Sequence, residues 1–339
     1  MKVITCASYY GTGSSAVTDL LSEFESVYSM TDYEFRFLHD IDGVADLEYY
    51  LVDNHNRHNS GHALKRFKKL SDFNAGTKFN KRYEPFFNYK YKKITDEYID
   101  SLVDFSYKGY WFYDFYDRGK LFYYWKLLPG KILRKLHVGN REGTLVNVLP
   151  KEITYCSKPD REKFIQCTKE YVDKLMTAAN KDKKEYLMVD QIVPPSNVSR
   201  YTKFFDWIKV VVVERDPRDV FILSKYIWKD PIVPTESIED FCKWYKYTRA
   251  HRKTEVFDAT TTKLVKFEDL VYKYENTKED LISWIGLDIK DHTNPRNGFN
   301  PNISINNTKL WERFPQYLTE AKMIAQMLPE YLYDYSDIE

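Results

Sequence analysis

The stretch IKVVVVERDPRDVFILSKY, Ile208 to Tyr226, decides the fold. Its valine run shows no polar alternation, as expected of a strand buried on both faces of a sheet. The run stops at Arg215, Asp216 and Pro217, and a helix follows at once in DVFILSKYIW. An arginine at the C-terminal end of such a strand sits where open α/β sheets hold their ligands. Its planar fork suits a phosphate. The competing reading is a surface ion pair between Arg215 and Asp219.

The same strand–turn–helix pattern opens the chain. Lys2 to Tyr9 reads as a buried strand, and GTGSSAVTDLLSEF as a glycine–serine turn opening a helix. Val17, Leu20, Leu21 and Phe24 fall on one helical face. Such a turn aims backbone N–H groups at one point, and the helix N-terminus adds partial positive charge. Gly11, Thr12, Gly13, Ser14, Ser15 and Ala16 are therefore candidates to hold a phosphate. The nucleoside-triphosphate version, G-x-x-x-x-G-K-[ST], carries a lysine that this turn lacks, which disfavours an ATP- or GTP-using kinase. A plain connection with Ser14 as helix cap is the bland alternative.

Between and beyond these ends, Val27 to Phe37 reads as a second strand ending in YEFRF. EYLMVDQIV (Glu185 to Val193) reads as another strand. A helix is expected from about Ser237 to Thr254, a strand at TKLVKFEDL and a helix at NTKEDLISWIGL. Strand–helix alternation at both ends predicts an α/β fold, a parallel sheet flanked by helices in three layers. Residues 43–184 read as mostly helical, polar and aromatic. They are expected to form an inserted subdomain, within a single 1–339 domain, that takes part in acceptor binding.

The 339 residues suffice for one large domain, and 43% are hydrophobic. The net charge of +1 argues against a nucleic-acid partner. No run is long and apolar enough to span a bilayer. Cys6, Cys156, Cys167 and Cys242 are far apart and lack zinc spacing, which reads as reduced thiols in a cytoplasmic protein. His55, His58 and His62 have helical spacing able to line one face, but HNRHNSGH reads as a solvated loop, and no metal is expected. The aromatic clusters Tyr110 to Asp117 and Phe122 to Trp125 are read mostly as packing, with one or two rings free to stack on sugars.

Taken in order, these motifs resemble the PAPS-dependent sulfotransferases (PAPS, 3′-phosphoadenosine 5′-phosphosulfate), of the carbohydrate type. The first turn, the RDPRD string, TKLVKFEDLVYKYENTKEDLISWIGL (Thr262 to Leu287) and NISINNTKLWERF (Asn302 to Phe314) carry the resemblance. It implies a P-loop-like sulfotransferase fold and PAPS as donor, with PAP as product. It implies that the turn grips the 5′-phosphosulfate, and that Arg215 with a serine on the next helix grips the 3′-phosphate. It also implies that Asn306, Asn307, Lys309 and Trp311 belong to a nucleotide-binding loop. YEFRF matches the place where the carbohydrate enzymes carry a catalytic glutamate, here Glu34.

Two departures stand out. The family's first-turn Lys or Arg is Gly11 here; the turn's amides and Arg36 are the candidates to replace its charge. The family's serine position is Leu223 here, with Ser224 one step on, a rotation of about 100° on a helix. For the base that takes the acceptor's proton, Glu34 is first choice, Asp190 second and His39 third; Glu34 paired with Arg36 as a mere shaping element is the alternative. Three readings remain: an active enzyme sulfating a saccharide hydroxyl, a non-catalytic PAPS- or PAP-binding relative, and a P-loop kinase.

Overall fold

The computed structural model describes residues 1–110, 114–136, 151–229 and 231–338. Five parallel strands make the central sheet in the order β2-β5-β1-β6-β7. They are β1 (Lys2–Ser8), β2 (Val27–Glu34), β5 (Tyr186–Asp190), β6 (Ile208–Glu214) and β7 (Thr262–Lys266). β1 lies between β5 and β6, so later strands were added on both sides of it. Such a reversal of strand order leaves a crevice outside the carboxyl ends, where α/β sheets bind ligands.

The valine run packs as its sequence demands. Val210 and Val212 join the core on one face of the sheet, Val211 and Val213 the core on the other. The second face is covered by α1 (Ser14–Ser22), through Val17, Leu20 and Leu21, and by the helix Tyr274–Ile285. The first face is covered by residues of the middle segment: Leu64 and Phe67 of α2 (Asn59–Ala75), Ile94 and Tyr98 of α3 (Tyr91–Leu102), and Leu175 of the helix Arg161–Ala179. These three helices of the middle segment thus share one apolar core with the sheet.

Several expectations shift. The middle segment is not wholly helical: β3 (Phe105–Tyr110) and β4 (Lys151–Cys156) form an antiparallel pair. β2 stops at Glu34, three residues short of Phe37, where the chain turns away. FEDL does not continue β7 but starts the helix Phe267–Tyr272. The helix after β6 is ordinary only over Pro217–Ile222; Leu223–Trp228 has the wider π geometry. The expected Ser237–Thr254 helix is Ile238–Thr248, followed by a 3-10 turn at Ala250–Lys253. The histidine segment is not a loop throughout, since His62 lies in α2 and His58 precedes its first residue.

Candidate active site

The RDPRD string is where two distant parts of the chain meet. Arg215 directly follows β6 and is almost fully buried, its guanidinium 4.2 Å over the ring of Phe267. Its Nη1 donates to the Gly11 carbonyl at 3.5 Å, and its Nη2 donates to the Asn307 carbonyl. The other residues of the string build this arrangement. Asp216 caps the following helix and pairs with Arg218, and its own N–H donates to Glu268 of the FEDL helix at 2.8 Å. Pro217 takes the first helical position, where its missing N–H costs nothing. Asp219 accepts from the N–H groups of Lys309 and Leu310, at 3.1 and 2.9 Å, and so holds the C-terminal loop beside Arg215. Arg215 and Asp219 are both buried, so they do not form a surface ion pair.

The first turn comes to the same point. Gly11 and Gly13 have φ of +78° and +90°, the left-handed region that glycine enters without strain. A methyl group added at Gly13 would lie 2.8 Å from Cδ2 of Phe267, the ring beneath Arg215. One added at Gly11 would lie 3.8 Å from Ser224 Oγ. Leu223 is packed with Phe221, Phe241 and Trp311, whereas the fully buried Ser224 turns toward Gly11. Thr12 Oγ1, Ser224 Oγ and Arg215 Nε have no hydrogen-bond partner among the described residues. Buried polar atoms are nearly always paired, so three orphans around one turn mark a place for a polar ligand.

The remaining expected nucleotide residues are spread around this point. Ala16 is buried in α1, and its N–H closes the turn onto the Gly13 carbonyl. Ser14 and Ser15 line a cleft of roughly 870 Å³. Asn306 accepts from Arg313 through Oδ1, and Lys309 carries a φ of +50° with its ammonium 4.6 Å from the Tyr335 ring. Trp311 is buried beneath Arg218 at 3.8 Å, which makes it a packing platform for that arginine.

Two acidic residues end β2 and β5, where Glu34 is opposite Asp190 in register. Glu34 is half exposed and lies 3.7 Å from Arg36, which also reaches Asp40 at 3.6 Å. Asp190 is buried, and Ser14 Oγ donates to its Oδ2 at 3.3 Å. Burial, reinforced by the charge of Glu34, pushes the Asp190 carboxyl up to about 7. His39 sits 2.8 Å from the Gln191 carbonyl through Nε2; a carbonyl only accepts, so Nε2 carries the proton. Burial lowers the pKa of this imidazole.

A lobe of roughly 520 Å³ opens beside the cleft and shares Ser14, Ser15, Glu34 and Arg36 with it. Phe73, Tyr33 and Tyr83 supply its aromatic wall. Asn74 Nδ2, Arg82 Nε and Asp190 Oδ1, all from residues lining the lobe, have no hydrogen-bond partner among the described residues. The aromatic clusters singled out in the sequence do not take this place. Among the described residues, none from Tyr110–Asp117 or Phe122–Trp125 lines the cleft or lobe, and Trp111, Phe112 and Tyr113 lie outside the described residues. Cleft residues not anticipated include Ser8, Gln191, Trp228, Tyr247 and His251. Their signal was position alone, since each lies at or within two residues of a strand or helix end. Among the described residues, no three His, Cys, Asp or Glu side chains are grouped to hold a metal ion.

No family model and no curated protein sequence matches the chain. Solved structures are similar to it at low identity. The sulfotransferase domain of the Synechococcus PCC 7002 olefin synthase is 13% identical, with a TM-score of 0.41, over 98% of this chain and 94% of that one. Sulfotransferase STF9 from Mycobacterium avium is 12% identical, with a TM-score of 0.40, over 100% of this chain and 77% of that one. Sulfotransferase STF1 from Mycobacterium tuberculosis H37Rv is 10% identical, with a TM-score of 0.36, over 97% of this chain and 76% of that one. Likenesses this distant carry none of the argument below.

Proposed function

We propose that this protein is a sulfotransferase that moves a sulfuryl group from PAPS to a hydroxyl of a saccharide. The observation that carries the reading is the meeting of Gly11, Arg215 and Ser224, with unsatisfied donors at one buried point. Those residue types fit a phosphate: a cation held by its backbone neighbours, a hydroxyl without a partner, and a helix N-terminus. In this reading Arg215 exchanges its two carbonyl acceptors for phosphate oxygens, and Ser224 gains its first partner. Asn307 and Lys309 flank the nucleotide, with their loop held by Asp219.

PAPS supplies an activated sulfuryl group whose bond to the 5′-phosphate breaks as the acceptor oxygen bonds to sulfur. The protein aligns the acceptor oxygen, takes its proton and stabilises charge on the departing phosphate. Burial of the kind that tunes a base toward neutral pH is found at Asp190 and not at Glu34. Asp190 is therefore the proposed proton acceptor, and Glu34 the neighbouring charge that raises it. The acceptor enters through the lobe, with a sugar face against Phe73 and hydroxyls toward Asn74, Arg82 and Asp190. The setting we propose is cytoplasmic, consistent with four free cysteines.

One observation favours a non-catalytic PAPS- or PAP-binding protein instead. Gly11 brings no cation to the turn, and the charge of Arg36 is already shared between Glu34 and Asp40. Labelled PAPS offered with sugars, phenols and peptides separates the readings. Transfer to a saccharide is expected. Binding of PAP without transfer to any of them would establish the non-catalytic alternative, and transfer only to phenols or peptides would overturn the acceptor assignment.

A further inference from the structure

The helix Gly119–Lys135 wears its amphipathicity inside out. Leu121, Tyr124, Trp125, Leu128, Ile132 and Leu136, the last just past its end, are exposed; Leu121 is 90% exposed and Trp125 73%. At about 100° per residue these six positions fall within an arc of about 120°. The helix buries Leu127 and Gly130 on its other side. A helix of a globular protein normally turns its apolar stripe to the core. Clustered exposure of this kind marks a surface built to be covered.

The charge on the same element says what covers it. Residues 119–136 contain Lys120, Lys126, Lys131, Arg134 and Lys135, and no Asp or Glu. That is a local excess in a chain whose net charge is only +1. Lys120 and Lys131 fall at one edge of the apolar arc, where long stems can lie along it while the ammonium stays in water. An apolar stripe with Trp, Tyr and Leu, edged by lysines, is the composition of helices that lie in the boundary of an anionic bilayer. A second copy of the chain paired about a two-fold axis would set these cations against the same cations. No helix among the described residues is long and apolar enough to cross a membrane. Contact is therefore in the plane of the surface.

We propose that the helix Gly119–Lys135 docks the protein on an anionic lipid surface. This goes beyond the sulfuryl-transfer reading and does not depend on it. The test is sedimentation of the full chain with vesicles of phosphatidylcholine alone, and with a third of that lipid replaced by phosphatidylglycerol. Binding is expected to the anionic vesicles only, and to weaken as salt is raised. The double variant Lys120→Gln/Lys131→Gln should lose roughly thirtyfold in partitioning, at about fivefold per lysine. Trp125→Ala/Leu128→Ala should lose binding while keeping the wild-type melting temperature, because both side chains are largely exposed. No binding to anionic vesicles, equal binding to both kinds, or wild-type binding by both variants would overturn the proposal. Self-association that Trp125→Ala/Leu128→Ala abolishes, without vesicle binding, would overturn it in favour of a second copy.

Discussion

Asp190 and Glu34 end neighbouring strands, and their difference in burial sets their chemistry. Asp190→Asn should lower transfer by roughly 10²–10⁴, the range for loss of a general base, while PAP binding survives. In the wild type the rate should rise with pH through about 7, as Asp190 loses its proton. Glu34→Gln removes a like charge that helps hold this carboxyl up, so the acid limb of its pH–rate profile should move to lower pH. A limb that stays in place would mean that the two carboxyls do not interact. Both residues were visible in the sequence as carboxylates at strand ends. Their difference in burial was not, because it depends on how α1 and β2 pack against the end of β5. The place of Arg215 at the end of a buried strand was legible because it is the first cation past the valine run.

At the scale of elements, the turn between β1 and α1 packs at Gly13 against the Phe267 ring of a helix more than two hundred residues away in sequence. Gly13→Ala should destabilise the fold by about 1–2 kcal/mol from the left-handed backbone alone, with more from the contact at Phe267. Urea unfolding checks this, and an unchanged midpoint would contradict it. The same variant should weaken PAP binding, since Phe267 also supports Arg215. Strands β1, β5 and β6 were readable from continuous apolar runs, and β7 from the short TKLVK segment, within a few residues at their ends. The β3–β4 pair was not. FSYKGY alternates, but its partner KEITYC lies some forty residues on with no tight turn to announce it. The π turn at Leu223–Trp228 was also hidden, because it depends on which carbonyl each N–H reaches rather than on side-chain type. That leaves Ser224, one step from its expected position, facing the turn while Leu223 goes to the core.

Over the whole molecule, the sheet gathers buried acids around its ligand end. Burial pushes Asp190 and Asp219 each up to about 7, and Glu268 up to about 8. Their pKa values in the folded chain exceed those of the unfolded chain, so the folded protein holds protons that the unfolded chain releases. Stability should therefore fall as pH rises from about 5 to about 8. Partly exposed acids whose pKa is lowered, such as Asp96 and Glu275, act only at more acid pH. Calorimetric melting across this range checks the sign, and a rising melting temperature would contradict it. The central claim is that Gly11, Arg215 and Ser224 form the seat of a nucleotide 3′-phosphate, and isothermal titration of PAP and of ATP with magnesium tests it most directly. PAP should bind and ATP should not; Arg215→Ala should weaken PAP by about 1.5–3 kcal/mol, the worth of a charge-assisted bond, and Ser224→Ala by less. ATP binding as tight as PAP, or PAP affinity unchanged in a folded Arg215→Ala variant, would contradict the account.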